Sequence, residues 1–257
     1  MDMSGRVVIV TGGSRGIGHA IACRFLDAGA TVVVCGRSVP QRPPASAAAE
    51  ATFVQADVRQ PDQAATLVET TAARFGRLDV LINNAGGTPM ADAATMSPRF
   101  ASSIVALNLL APFYTAQPAN AVMQRQPEGG LVINIGSVSG RTPAPGSAAY
   151  SAAKAGLSML TRALALEWAP RVRVNQVTPG LVRTEQAHLH YGDEAGIAAV
   201  AAAIPLGRLA EPADIASVCL LLCSPLAAYV TGADLLVDGG GEIPARFIAA
   251  AGHIDRD

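Results

Sequence analysis

Seven short apolar segments recur along the chain, at residues 6–10, 31–35, 52–55, 78–82, 131–136, 172–178 and 233–237, with longer helix-forming stretches between them. Most are rich in β-branched residues and apolar on both faces, the pattern of strands covered by helices on each side. Helices are expected at 17–28, 61–75, 98–124, 149–168 and 212–223, the last opened by Pro212 in its first turn and closed before Pro225. Such an alternation specifies an α/β fold: a doubly wound parallel sheet of about seven strands, helices on both faces, in one domain spanning 1–257. Residues 38–50 depart from the rhythm. Pro40, Pro43 and Pro44 precede an alanine run there, which argues for a loop or at most one short helix near the alanines.

Composition narrows the class of partner. Half the residues are apolar and the formal net charge is −1, so nothing points to nucleic acid or an anionic membrane. Met1 to Gly5 enter the first strand with no charged leader or apolar signal, and no apolar run would span a bilayer; the expectation is a soluble, cytoplasmic protein. Cys23, Cys35, Cys219 and Cys223 lie in apolar segments without a C-x-x-C pattern and read as reduced thiols rather than a metal site.

The first strand runs directly into Thr11-Gly12-Gly13-Ser14-Arg15-Gly16-Ile17-Gly18 and then an amphipathic segment. Strand, glycine turn and helix in that order form a dinucleotide cradle. Gly12 allows the tight turn, Gly16 lets backbone approach a pyrophosphate at the helix N-terminus, and Gly18 permits close packing of helix on strand.

Tyr150 and Lys154 are four residues apart in a helix expected over 149–168, which puts phenol and ammonium on one face. A phenol beside a fixed cation is a candidate proton donor. Bringing it from its ordinary ~10 to about 7 requires roughly 4 kcal/mol of preference for the phenolate, which an adjacent cation can help supply. Ser137 follows the 131–136 strand, at the edge where open α/β sheets place ligands.

Together with Asp57, Asn83-Asn84-Ala85-Gly86, Asn108, Pro179-Gly180 and the run Asp234 to Gly240, these motifs resemble the short-chain dehydrogenase/reductase family over residues 5 to 241. The likeness is to its short, single-domain form, including 3-oxoacyl-(acyl carrier protein) reductase-like members. The resemblance implies a Rossmann-type fold and a nicotinamide-dependent oxidoreductase with Asn108, Ser137, Tyr150 and Lys154 as catalytic residues. Tyr150 would exchange a proton with a substrate carbonyl or alcohol, Ser137 would hold that oxygen, and Lys154 would bind the nicotinamide ribose and depress the Tyr150 pKa. Asn108 would hold a water in the proton relay; the alternative is a buried amide capping backbone. For the cofactor, Gly12, Ser14, Arg15, Gly16, Ile17 and Gly18 would cradle phosphates, and Asp57 and Val58 would meet adenine. Asn83, Ala85 and Gly86 would lie against the adenosine ribose. Pro179, Gly180, Val182 and Thr184 would line the nicotinamide side, Thr184 serving alternatively as a helix cap.

Cofactor choice depends on the end of the second strand, Val34-Cys35-Gly36-Arg37-Ser38, where an NAD site would place a carboxylate. Arg37 stands there instead. With Arg15 it favours the 2′-phosphate of NADP(H), NAD(H) remaining possible.

The expected substrate is a small-molecule ketone or secondary alcohol, uncharged or bulky and apolar. Gly87, Thr88, Pro89, Val138, Ser139, Pro145 and Leu181 are candidate walls under a lid at about 181–204. Arg141 is expected to face solvent unless it binds an anionic tail. His188 and His190 have no third ligand in view, and His19 reads as a helix-surface residue; no metal site is expected. Small residues along 149–168, with the resemblance, imply a homodimer or homotetramer. The alternative class is a nucleotide-sensing protein that has lost its chemistry.

Overall fold

In the computed structural model of the chain, residues 1 to 244 are described; the part of the expected 1–257 domain beyond them lies outside the described residues. β1 (Val7–Thr11) is an interior strand of a seven-stranded, fully parallel sheet. The other strands are β2 (Thr31–Gly36), β3 (Thr52–Gln55), β4 (Val80–Asn83), β5 (Gly130–Ile135), β6 (Val172–Pro179) and β7 (Asp234–Val237), in the order β3-β2-β1-β4-β5-β6-β7. Each expected strand is present, with ends moved by two residues at most. The order reverses between β1 and β4, which makes the carboxyl edge there a topological switch point, where such sheets bind ligands.

Alternation along the strands divides the core in two. Val8, Val10, Val32, Val34, Ile82 and Ile133 point to one face, against α1 (Gly16–Asp27) and α8 (Pro212–Leu222). Val7, Ile9, Val33, Leu81 and Val132 point to the other. That face is covered by α2 (Pro61–Phe75), α4 (Ala111–Met123) and α5 (Ala148–Trp168).

Two expectations need correction. The single helix over 98–124 is two, α3 (Pro98–Val105) and α4, joined by a π-helical turn at Ala106–Leu110. Pro112 lacks the N–H that Asn108's carbonyl would receive in an α-helix, and a wider turn accommodates the loss. Residues 38–50 form a loop, as expected: the alanines make a turn, its ends paired in an antiparallel bridge between Ala45 and Glu50. The Ser46 hydroxyl accepts from the N–H groups of Ala48 and Ala49, a local bond that competes with helix. Finally, the lid segment carries two helices not expected from the sequence, α6 (His188–Tyr191) and α7 (Glu194–Ala202). The alanine-rich run there has little apolar periodicity, and the Asp193 carboxylate starts α7 by accepting from Gly196 N–H at 3.0 Å.

Candidate active site

Parallel strands bring Thr11, Gly36, Asn83, Ile135 and Pro179 to one edge of the sheet. Beyond β5, Ser137 caps a short 3₁₀ turn, Val138–Gly140, accepting from Ser139 N–H at 3.2 Å. That turn lies directly on α5. A Cβ on Gly140 would stand 2.9 Å from the backbone of Lys154 and Ala155, so only a glycine allows the approach. From α5 the Lys154 ammonium reaches back and donates to the Ile135 carbonyl at 2.7 Å, passing 5.7 Å from the centre of the Tyr150 ring. Ser137, Tyr150 and Lys154 are thus gathered by backbone packing between β5 and α5.

The electrostatics differ from expectation. Burial pushes the Tyr150 phenol up, with the Ser137 hydroxyl acting against it. The same burial pulls Lys154, 4% exposed, down to about 8. The phenol is therefore held protonated in this structure, and the ammonium's short bond goes to a carbonyl rather than to the phenol.

Asn108 lies in the π-helical turn and is completely buried. Its amide donates to the carbonyls of Gly87 and Ile104, each at 3.0 Å, and accepts from Gly87 N–H at 2.9 Å. Both amide protons are spent on backbone, as the capping alternative requires. The side chain still borders the site, because a Cβ on Gly86 would stand 2.8 Å from its Oδ1 and 3.4 Å from Lys154 Nζ.

The glycine turn forms a cradle. Gly12, at φ +63°, packs so that a Cβ would meet Ala85 at 3.0 Å, and Gly18 leaves room for the Asn84 amide, which donates to the carbonyls of Thr11 and Gly12. Sequence reasoning gave Thr11 no role of its own. Its hydroxyl accepts from the N–H groups of Asn84 and Ala85 at 2.9 and 3.0 Å, fixing the β4 exit beside the turn. Asn83 turns inward, donating to Asn134 and Pro112 and accepting from Thr115, so that only its backbone faces the edge.

At the outer end, Ser14 adjoins Gly36, while Arg15 and Arg37 are exposed and in no ion pair among the described residues. Asp57 is not alone: Arg59, which the sequence reading passed over, binds both its oxygens, the shortest contact being 2.5 Å. That pair, with the nearby Arg37 charge, holds the Asp57 carboxyl below its usual range. Val58 is buried in the core beside it. Ile17 packs from α1 onto the other core face.

Gly180 follows β6 and approaches Asp238 where a Cβ would collide at 2.6 Å. Val182 is then bridged to Ala210, and Thr184 lies over Gly16, 3.7 Å from where its Cβ would stand. The chain after Pro179 therefore crosses from the sheet edge to the glycine turn. The Thr184 hydroxyl accepts from Gln186 N–H at 3.4 Å within a turn; it does not cap the helix that follows, whose N-cap residue is Ala187.

Two further side chains escaped the sequence reading. Met90, 66% exposed, meets Gly146 where the two expected wall segments touch, and Ala91 N–H donates to the Gly146 carbonyl. Tyr191 of α6 has its phenol pushed up by burial, against the Val182 N–H, with the charges of Glu242 and Tyr150 adding to the rise. No periodic signal marks either residue. Arg141 is exposed, as expected, and also pairs with Asp234 at 2.8 Å. His19 contacts Cys23, and His188 and His190 are exposed on α6.

Comparison with known proteins places these features in context. A family model described as enoyl-(acyl carrier protein) reductase matches residues 12–242. A 3alpha-hydroxysteroid dehydrogenase of Mediterraneibacter gnavus is 35% identical over 93% of this chain and 98% of its own length. Among solved structures, ligand-free aldohexose dehydrogenase of Thermoplasma acidophilum superposes with a TM-score of 0.86 at 32% identity, covering 93% of this chain and 94% of that one. A substituted short-chain dehydrogenase/reductase of Serratia marcescens gives 0.85 at 31%, over 93% and 99%.

Proposed function

The chain belongs to the short-chain dehydrogenase/reductase family, oxidoreductases that use nicotinamide cofactors on small molecules, and on that premise we propose that it interconverts a bulky, uncharged ketone and its secondary alcohol using NADP(H). The observation that carries this reading is the gathering of Ser137, Tyr150 and Lys154 beside Gly86, at the sheet edge that also bears the glycine turn.

The residues fit a dinucleotide: Gly12 and Gly18 let the glycine turn pack closely against Ala85 and Asn84, where a Cβ would collide, and Gly86 brings backbone up against Asn108 Oδ1 and Lys154 Nζ. When bound, the nicotinamide supplies or takes up a hydride. Tyr150, held protonated, donates its proton to the substrate carbonyl oxygen, and in the reverse direction its phenolate takes the proton from the alcohol. Ser137 donates a hydrogen bond to that oxygen. Lys154 holds the ribose hydroxyls with the donors that Ile135 leaves free. Asn108 holds Gly87 in place and, through the π-helical turn, presents backbone to a proton-relay water. The adenosine end rests on Ala85, Gly86 and the Asn83 backbone, with adenine against Asp57 and Val58. Val182, Thr184, Pro179 and Gly180 flank the nicotinamide, and Ser14, Arg15, Gly16 and Ile17 hold the phosphates.

Preference for NADP(H) is supported by the absence of an acid at the end of β2 and by the guanidinium groups of Arg15 and Arg37, which are in no ion pair among the described residues. Substrate class is supported by the hydroxysteroid dehydrogenase relative and by the apolar side chains of Met90 and Leu181. Residues 181–204 act as the lid, with Ala187, Ile197 and Ile204 as its own small core. Assembly is by copies of the chain: α5 exposes Met159 and Leu166, the latter 84% exposed, and light scattering is expected to return a dimer or tetramer. The reading is tested by following NADPH oxidation over a panel of cyclic and acyclic ketones, comparing the wild type with Tyr150→Phe. Turnover that the substitution abolishes supports it; no turnover on any member, or equal rates in both proteins, counts against it.

A further inference from the structure

The lid does more than cover the reacting end. Thr184 and Glu185 both rest on Gly16, and Glu185 Oε2 lies 3.8 Å from the position of a Cβ there. Gly16 is the first residue of α1, at φ +54°, and the helix carries no acid in its first turn and no side-chain cap from Arg15. Its first N–H groups and the positive end of its dipole therefore favour an anion supplied from elsewhere. The Glu185 carboxylate stands beside that helix end. It is exposed, belongs to no ion pair among the described residues, and stands in a turn closed by Ala187 N–H donating to the Thr184 carbonyl at 3.0 Å.

We propose that Glu185 is a gate on cofactor entry, its carboxylate occupying the space over Gly16 that the dinucleotide's pyrophosphate takes. The inference rests on the functional reading above, which puts the pyrophosphate at that turn. Two negative groups do not share one helix terminus, so the side chain swings aside as the phosphates enter. Lid and cofactor are thereby coupled: the lid's first turn lies on the glycine turn before the dinucleotide arrives and is lifted by it. Glu185 is a positioning residue, and its effect belongs to affinity rather than to the chemical step.

The test is direct binding, by fluorescence for NADPH and calorimetry for ADP-ribose, to the full chain and to Glu185→Gln. Glu167→Gln, on α5 near the amino end of the sheet, is the control for net charge. Glu185→Gln is expected to tighten both ligands about fivefold at about 20 mM salt, and less than about twofold at about 500 mM, where screening removes the repulsion. Unchanged or weaker binding overturns the gate. So does equal tightening by Glu167→Gln, or an effect on NADPH that ADP-ribose does not share, since that would place its origin away from the pyrophosphate. A wild type that binds neither NADPH nor NADH overturns the function itself, and the gate with it.

Discussion

The Lys154 ammonium is anchored on the Ile135 carbonyl, 2.7 Å away, so the cation of the site hangs from the last residue of β5, two positions before Ser137. Its position is set by the sheet, and its cost is desolvation.

That cost is measurable. Burial holds Lys154 at about 8, against 10.5 for the ordinary amine. Below pH 8 both folded and unfolded chains carry the proton, and the penalty for burying the charge is fully present. Between about 8 and 10.5 the unfolded chain binds more protons, so stability rises with pH. Relative to Lys154→Met, the wild type is expected to gain on the order of 3 kcal/mol across that window, read from denaturant melts at several pH values. Parallel pH curves for the two proteins would contradict this.

Ser137 carries little of the fold, since its hydroxyl accepts one bond, from Ser139 N–H. Ser137→Ala is expected to lower kcat by roughly 10²–10³-fold, the usual effect of removing one oxygen-holding donor, with KM little changed. Thermal melting should stay within about 2 °C of wild type, a loss within the ±0.5 kcal/mol of ordinary surface changes.

Arg37→Ala is expected to weaken NADPH binding by about tenfold, the loss of one charge-assisted contact to the 2′-phosphate, while NADH is unaffected. Titrating both cofactors against both proteins decides it. An equal change for NADH would move Arg37 away from the phosphate.

Gly86→Ala places a methyl 2.8 Å from Asn108 Oδ1 and 3.4 Å from Lys154 Nζ. The amide is fully buried and cannot retreat without giving up Gly87 or Ile104. A loss of about 1–3 kcal/mol in stability is expected, with turnover falling by a larger factor than thermal stability explains. Wild-type kcat in this variant would contradict this.

Much of this architecture was legible from residue order. The β-branched strands, the glycine turn and Tyr150 with Lys154 announce themselves by local pattern, because strand burial and helix spacing are local properties. What stayed hidden depends mostly on contacts between distant segments. Thr11 fixes Asn84 and Ala85 across two strands, and Tyr191 meets the site only because α6 forms; the Arg59–Asp57 pair is local, but the turn that closes it carries no pattern in the residue order. The direction of the Tyr150 shift was hidden for the same reason: burial is a property of the packed fold, whereas the Tyr–Lys spacing is visible in the chain. Pro112, four residues after Asn108, was the available signal for the π-helical turn.

The glycine turn's helix has a partner from the other end of the chain. Ile21 and Phe25 of α1 share one core with Ile215, Cys219 and Leu222 of α8. During synthesis the cradle is therefore among the first parts made and among the last completed, since α1 keeps an uncovered apolar flank until residues 212–222 leave the ribosome. A nascent chain lacking that stretch would carry the whole glycine turn and still expose the apolar flank of the helix behind it.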